Sequence, residues 1–159
     1  MENSLMETKS KKGHFTFRAT AVLLMASAVL ELLSFTSEVP LLGEIRGGVS
    51  AGIYHGVYAA LFLGMGVGLW SARKWGYTLV FVTTVLYTLD KLQLVLGHQA
   101  LETFIKAQMS GFESQLQSQG INETLIMQAI VLMAIVVSFC WWGFALYTWW
   151  RRDYFKENG

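Results

Sequence analysis

The chain is short of charge. Only 14% of its 159 residues carry one, 12 basic and 11 acidic, against roughly a quarter in soluble domains. It has one cysteine and one proline, Cys140 and Pro40. A lone cysteine excludes an internal disulfide framework and any cysteine-based zinc ribbon. Scarce proline with a mean hydropathy of +0.42 excludes a disordered, collagenous or low-complexity chain. A net charge of +1, with no basic face away from the ends of the apolar segments, excludes nucleic-acid binding as the main activity. The GxGxxG, GxxxxGKS/T and GxSxG patterns are missing as well, so nucleotide-binding and hydrolase chemistry lose their usual support. No catalytic residue is assigned, and an enzyme is not the expectation.

What the chain does have is apolar length: 53% of it is hydrophobic. Four apolar stretches, 19–37, 48–70, 76–97 and 125–150, contain only three charged residues, Glu31, Asp90 and Lys91. A helix rising about 1.5 Å per residue needs roughly 20 apolar residues to cross a hydrocarbon core of about 30 Å, and each stretch is close to that or longer. The expected fold is all-α, a four-helix transmembrane bundle forming a single integral membrane domain over 1–159. Lys9, Lys11 and Lys12 precede the first stretch, which reads as a signal anchor rather than a cleaved leader. Lys9, Lys11, Lys12, Arg18, Arg73, Lys74, Arg151, Arg152 and Lys156 fall on one side of such a bundle, with only Arg46 and Lys106 opposite. Basic flanks stay in the cytoplasm, so both termini are expected there. Trp70, Trp75, Trp141, Trp142, Trp149 and Trp150 sit towards the same side, where amphipathic rings favour the headgroup region. The run Gly-Leu-Trp followed by Arg-Lys-Trp-Gly-Tyr within 68–77 is similar to that of many small bacterial membrane proteins. That likeness implies a bacterial inner (plasma) membrane.

The connections differ in kind. Ser71 to Trp75 is a tight turn between antiparallel neighbours, and Ser37 to Gly47, with Pro40 and Gly43, reads as a short irregular turn. The segment 98–124 is too long for a structureless loop. Leu101, Ile105, Phe112 and Leu116 take one side of it, and Glu102, Lys106, Glu113 and Gln117 the other, so an extracytoplasmic amphipathic helix is expected over about 99–119.

Two features invite a functional reading. Gly48, Gly52, Gly56, Ala60, Gly64 and Gly68 recur in steps of four along the second stretch, and small residues let helices approach closely in lipid. The expected partner of this ridge is the first stretch or, in a homo-oligomer, a second subunit. The other feature is a polar layer. Counted from the stretch ends, Glu31, His55 and Asp90 each fall about 9–11 Å below the outer side. Lys91, Gln128, Tyr58 and Tyr87 lie near the same level. Ionisable groups within a span normally face the bundle interior and mark a candidate site.

The layer supports more than one reading. It can be a salt-bridge network that only fixes how the helices dock, or the pocket of a small transporter or channel-like protein handling a small solute, a cation or a proton. Glu31, His55 and Asp90 are metal-ligand types, but no Glu-x-x-His, HExxH or CxxC pattern supports them, and no metal is assigned. A bundle haem needs axial histidines, and His55 is the only histidine well inside a span, so no cofactor is assigned. The alternatives are a non-catalytic accessory or assembly subunit that binds a membrane partner through the glycine ridge or the 99–119 helix, and a metal, haem or quinone redox subunit. Cys140, among Phe139, Trp141 and Trp142, reads as a buried small apolar residue.

Overall fold

The structure, a computed structural model, describes residues 13–109 and 123–155. Within them the chain is helical almost throughout. The long helices are α1 (His14–Leu33), α2 (Gly48–Trp70), α3 (Lys74–Leu96) and α5 (Glu123–Trp150), with the shorter α4 (His98–Met109) before α5. The four long helices are long and apolar enough to cross a membrane. Of the expected amphipathic helix, α4 covers the first part and buries Leu101 and Ile105. Lys106 reaches Glu102 at 2.8 Å on its exposed side. Phe112, Glu113, Leu116 and Gln117 lie outside the described residues.

Two local expectations need correction. The first helix runs His14–Leu33 rather than 19–37. Its start is set by Phe17, which is fully buried and stacks on Tyr154 with ring centroids 4.6 Å apart. Burial of that ring outweighs the polar residues around it. At the other end the chain leaves the helix through turns, with Phe35 N–H bonding to the Leu32 carbonyl and Ser37 N–H to that of Ser34. Glu31 is therefore two residues from the helix end.

The second correction concerns the connection after α1, which is not irregular. It holds an antiparallel hairpin of β1 (Val39–Leu41) and β2 (Glu44–Arg46), with Val39 opposite Arg46 and Leu41 opposite Glu44. Leu42 and Gly43 form its two-residue turn with φ of 53° and 81°. Positive φ at both positions matches the twist of the strands. Glycine adopts it freely, whereas Leu42 is strained by about 1–2 kcal/mol.

The closest packing joins α1 to α2. Phe17, Ala21, Leu24 and Ala28 are buried along α1, and Ala51, Gly52, His55, Tyr58, Ala59, Phe62, Met65, Gly66, Gly68 and Leu69 along α2. Steps alternating between four and three keep the α1 row on one side of its helix, and it packs against antiparallel α2, whose buried residues also reach α5, where Phe62 stacks on Trp141. Steps of four alone advance by about 40° each around the helix, and the small residues of α2 accordingly meet different neighbours. A Cβ built on Gly52 would lie 2.9 Å from the Phe35 ring, one on Gly64 would lie 3.1 Å from Leu79, and one on Gly68 would lie 2.5 Å from the Gly76 Cα. Gly48 has nothing within 4 Å, and Ala60 is exposed. Close approach to α1 occurs instead at Gly66, where a Cβ would come within 3.1 Å of the Ala21 carbonyl oxygen.

After α5 a short 3-10 turn, Arg152–Phe155, folds the chain back and buries Tyr154 and Phe155 beside Phe17. Tyr154 donates its hydroxyl to the Leu69 carbonyl at 3.3 Å. Large apolar side chains cover the exterior, among them Leu23, Leu33, Ile53, Leu89, Phe139 and Trp150. Cys140 is exposed there rather than buried.

Candidate functional site

The α1–α2 seam ends in a polar pair. Glu31 continues the α1 row three residues beyond Ala28, and antiparallel α2 presents His55 to it. Nδ1 of His55 lies 2.7 Å from Oε2 of Glu31. The imidazole is 8% exposed and the carboxylate 26%. Nε2 of His55 is buried without a hydrogen-bond partner. Such an orphan is uncommon, since buried polar atoms are nearly always satisfied.

One residue earlier on α2 the side chain points about 100° away and enters a second cluster, centred on Asp90 of α3. Oδ2 of Asp90 accepts from the Tyr54 hydroxyl at 3.1 Å and from Lys91 Nζ at 2.8 Å. Oδ1 accepts from Gln93 Nε2 at 2.9 Å. Gln93 passes the connection on, because its Oε1 accepts from Leu42 N–H at 3.0 Å in the hairpin turn. Lys91 also sits over the Tyr87 ring, 5.0 Å from its centroid. Tyr58 is buried against Tyr54 and Phe62.

The expected layer thus divides into two clusters that meet at adjacent residues, His55 and Tyr54. Glu31 and His55 form one. Asp90, Lys91 and Tyr87 belong to the other, and Tyr58 lies beside it. Gln128 is exposed on α5, in a shallow hollow with Thr124, Met127 and Val131. Among the described residues no three of His, Cys, Asp and Glu gather closely enough to hold a metal ion.

No family model matches the chain, and no curated protein or solved structure is significantly similar to it. Gln93 and the hairpin are the members that sequence reasoning did not include. Gln93 stands three residues from Asp90, a spacing that shares a helix face, and that was the available signal. The hairpin had none, because Leu42 is not a residue that usually marks such a turn.

Two cavities of about 350 Å³ flank α3. One lies between α2 and α3 beneath the hairpin, with Asp90, Gln93, Tyr54 and Tyr58 on its polar side and Val57, Leu61, Leu86 and Leu89 as apolar walls. The other lies between α3 and α5, where Lys91, Thr88 and Ser138 meet Leu92, Phe139 and Trp142. Trp142 Nε1 donates to Thr88 Oγ1 at 3.1 Å across it. The Asp90–Lys91 bridge thus has its carboxylate in one cavity wall and its ammonium in the other. Chemically, the first cluster pairs an enclosed imidazole with a carboxylate. The second holds a carboxylate that already carries a cation.

Proposed function

We propose that this chain is a four-pass integral membrane protein of the bacterial plasma membrane, with both termini in the cytoplasm, and that it moves a small solute or cation with the help of a proton held at the Glu31–His55 pair. The apolar exterior supports the bilayer setting, since exposed patches of that extent are rare on soluble monomers. Arg18, Arg73, Lys74, Arg151 and Arg152 lie at the helix ends away from the hairpin, which supports the orientation.

The observation that carries the transport reading is His55. It is almost enclosed and bonded at Nδ1 to a carboxylate. Its Nε2 is unpaired, and the residue beside it is bonded to Asp90. Purified protein in liposomes loaded with a pH-sensitive dye, under a valinomycin-clamped potassium gradient, tests it. Proton flux should exceed that of empty liposomes and fall to that level in His55→Ala and Glu31→Gln. Wild-type flux equal to empty liposomes overturns the reading.

The accessory-subunit reading has one observation in its favour: only 11% of the apolar window of α5 is buried. A partner or second copy covering that face would appear as added mass in lipid nanodiscs, and a bare monomer refutes it.

A further inference from the structure

The cavity between α2 and α3 has a single charged lining residue, Asp90, set among two tyrosines and leucine and valine walls. We propose that it binds a small amphiphilic amine, and that Lys91 is a tethered cation occupying the Asp90 carboxylate until the amine displaces it. The proposal names a substrate class for the transport reading and rests on that reading for its biological role, but it is tested by binding alone.

The chemistry of the walls selects the occupant. An ionised carboxylate in an apolar wall is expensive unless a cation accompanies it, and Lys91 supplies one at 2.8 Å. An incoming ammonium replaces an ammonium, so the carboxylate is never left bare. Tyr54 and Gln93 keep their bonds to Asp90, and Gln93 keeps the hairpin turn over the cavity. The faces of Tyr54 and Tyr58 favour a cation, while Val57, Leu61, Leu86 and Leu89 accept a hydrocarbon tail. Exposure of Val57 and Leu89 at 50% and 56% opens the cavity sideways to the apolar exterior, the route an amphiphile dissolved in lipid would take. An anionic head would be repelled by Asp90, and a neutral alcohol has no charge with which to displace Lys91.

Lys91 has somewhere to go. It already lines the α3–α5 cavity beside the Thr88 and Ser138 hydroxyls. It is also five residues from the end of α3, within the range over which lysine side chains snorkel to an interface.

Equilibrium dialysis of radiolabelled n-octylamine against the full chain in phosphatidylcholine nanodiscs, with empty nanodiscs as background, tests the proposal. Binding should saturate at one amine per chain and be competed by unlabelled n-octylamine, but not by n-octanol or octanoate. Asp90→Asn should abolish it. Leu61→Trp, which fills the cavity without touching the carboxylate, should abolish it too. If Lys91 holds the carboxylate about nine-tenths of the time, Lys91→Gln tightens binding about tenfold, a gain that misfolding cannot imitate. Absence of saturable binding, equal competition by n-octanol, or unchanged affinity in Lys91→Gln each overturns the proposal. Glu31→Gln should bind the amine normally. Lost proton flux with intact amine binding therefore counts against the proton reading alone, and intact flux without amine binding counts against this one.

Discussion

Replacing the small residues of α2 one at a time by alanine separates two accounts of the glycine ridge. A Cβ at Gly68 would lie 2.5 Å from the Gly76 Cα, and one at Gly76 would lie 2.5 Å from the Gly68 carbonyl carbon. Carbon atoms in good contact are about 3.5–4.0 Å apart, so α2 and α3 would have to separate by about 1 Å. They are joined just below that point by a short turn in which Arg73 N–H bonds to the Gly68 carbonyl at 3.0 Å, which resists separation. Overpacking of this kind costs about 1–3 kcal/mol. The helix propensity gained on replacing glycine is at most about 1 kcal/mol, and less where the unfolded state in detergent stays helical. Gly68→Ala and Gly76→Ala should thus lose about 1–2 kcal/mol. Gly52→Ala should lose less, because the Phe35 ring it meets is 48% exposed and can swing aside. Gly64→Ala meets only the flexible end of Leu79 and should be near neutral. Gly48→Ala suffers from its φ of +59° despite open space. Gly56→Ala has its nearest atom at 3.8 Å, and Gly143→Ala has none within 4 Å, so both should be neutral or slightly stabilising. Thermal unfolding in one detergent, followed by near-UV circular dichroism, ranks the series. If Gly56→Ala is as damaging as Gly68→Ala, the reasoning fails, and the ridge acts as one continuous interface, as between two subunits.

Three further outcomes follow from local geometry. Leu42→Gly relieves about 1–2 kcal/mol of backbone strain against an entropy cost of about 0.5–1 kcal/mol; it should leave the hairpin as protected as before or more so by amide exchange, and faster exchange would contradict the strain assignment. Glu31→Ala leaves the enclosed His55 ring without its carboxylate and should cost about 1–3 kcal/mol. A double-mutant cycle with His55→Ala should show coupling, and strict additivity would mean that the 2.7 Å contact contributes nothing. Burial pushes the Tyr154 phenol up from its ordinary value, with Arg18 pulling the other way. The folded state therefore favours the protonated ring. That stability is whole below about pH 10 and is lost as pH rises through the raised value. Tyr154→Phe should lose about 1 kcal/mol at neutral pH and show a weaker alkaline fall; an unchanged alkaline transition would refute the assignment.

How far the sequence can be read depends on the range of the interaction involved. The four long helices are legible because length and hydropathy are local properties. The partner of Glu31 was legible only as a level, since counting residues gives depth but not azimuth. The azimuth comes from the alternation of fours and threes in Phe17, Ala21, Leu24 and Ala28, which places Glu31 on the side facing His55. Counting puts Asp90 at the same depth, yet Tyr54 rather than His55 reaches it, because neighbouring positions on α2 point about 100° apart. The hairpin was illegible for a different reason. Its turn carries Leu42 with positive φ, and what holds it is a bond to Gln93, 51 positions away in the chain. The start of α1 is not legible locally because Phe17 is held by Tyr154 and Phe155 from the far end of the sequence.

These contacts make α3 the pivot of the polar region. Its Asp90 faces α2 and, through Gln93, the hairpin, while the next residue, Lys91, faces α5. A bridge between adjacent residues that face different neighbours adds little to the docking of the helices, since both partners already belong to α3. It does tie the charge state of one cavity to that of the other. Whatever draws Lys91 away exposes Asp90 to the α2–α3 cavity, and whatever neutralises Asp90 frees Lys91 for the α3–α5 cavity. A purely structural salt bridge would gain more by joining two helices, as Glu31 and His55 do. The two pairs thus differ in kind: Glu31–His55 staples α1 to α2, whereas Asp90–Lys91 is confined to α3 and reaches its neighbours through Tyr54 and Gln93.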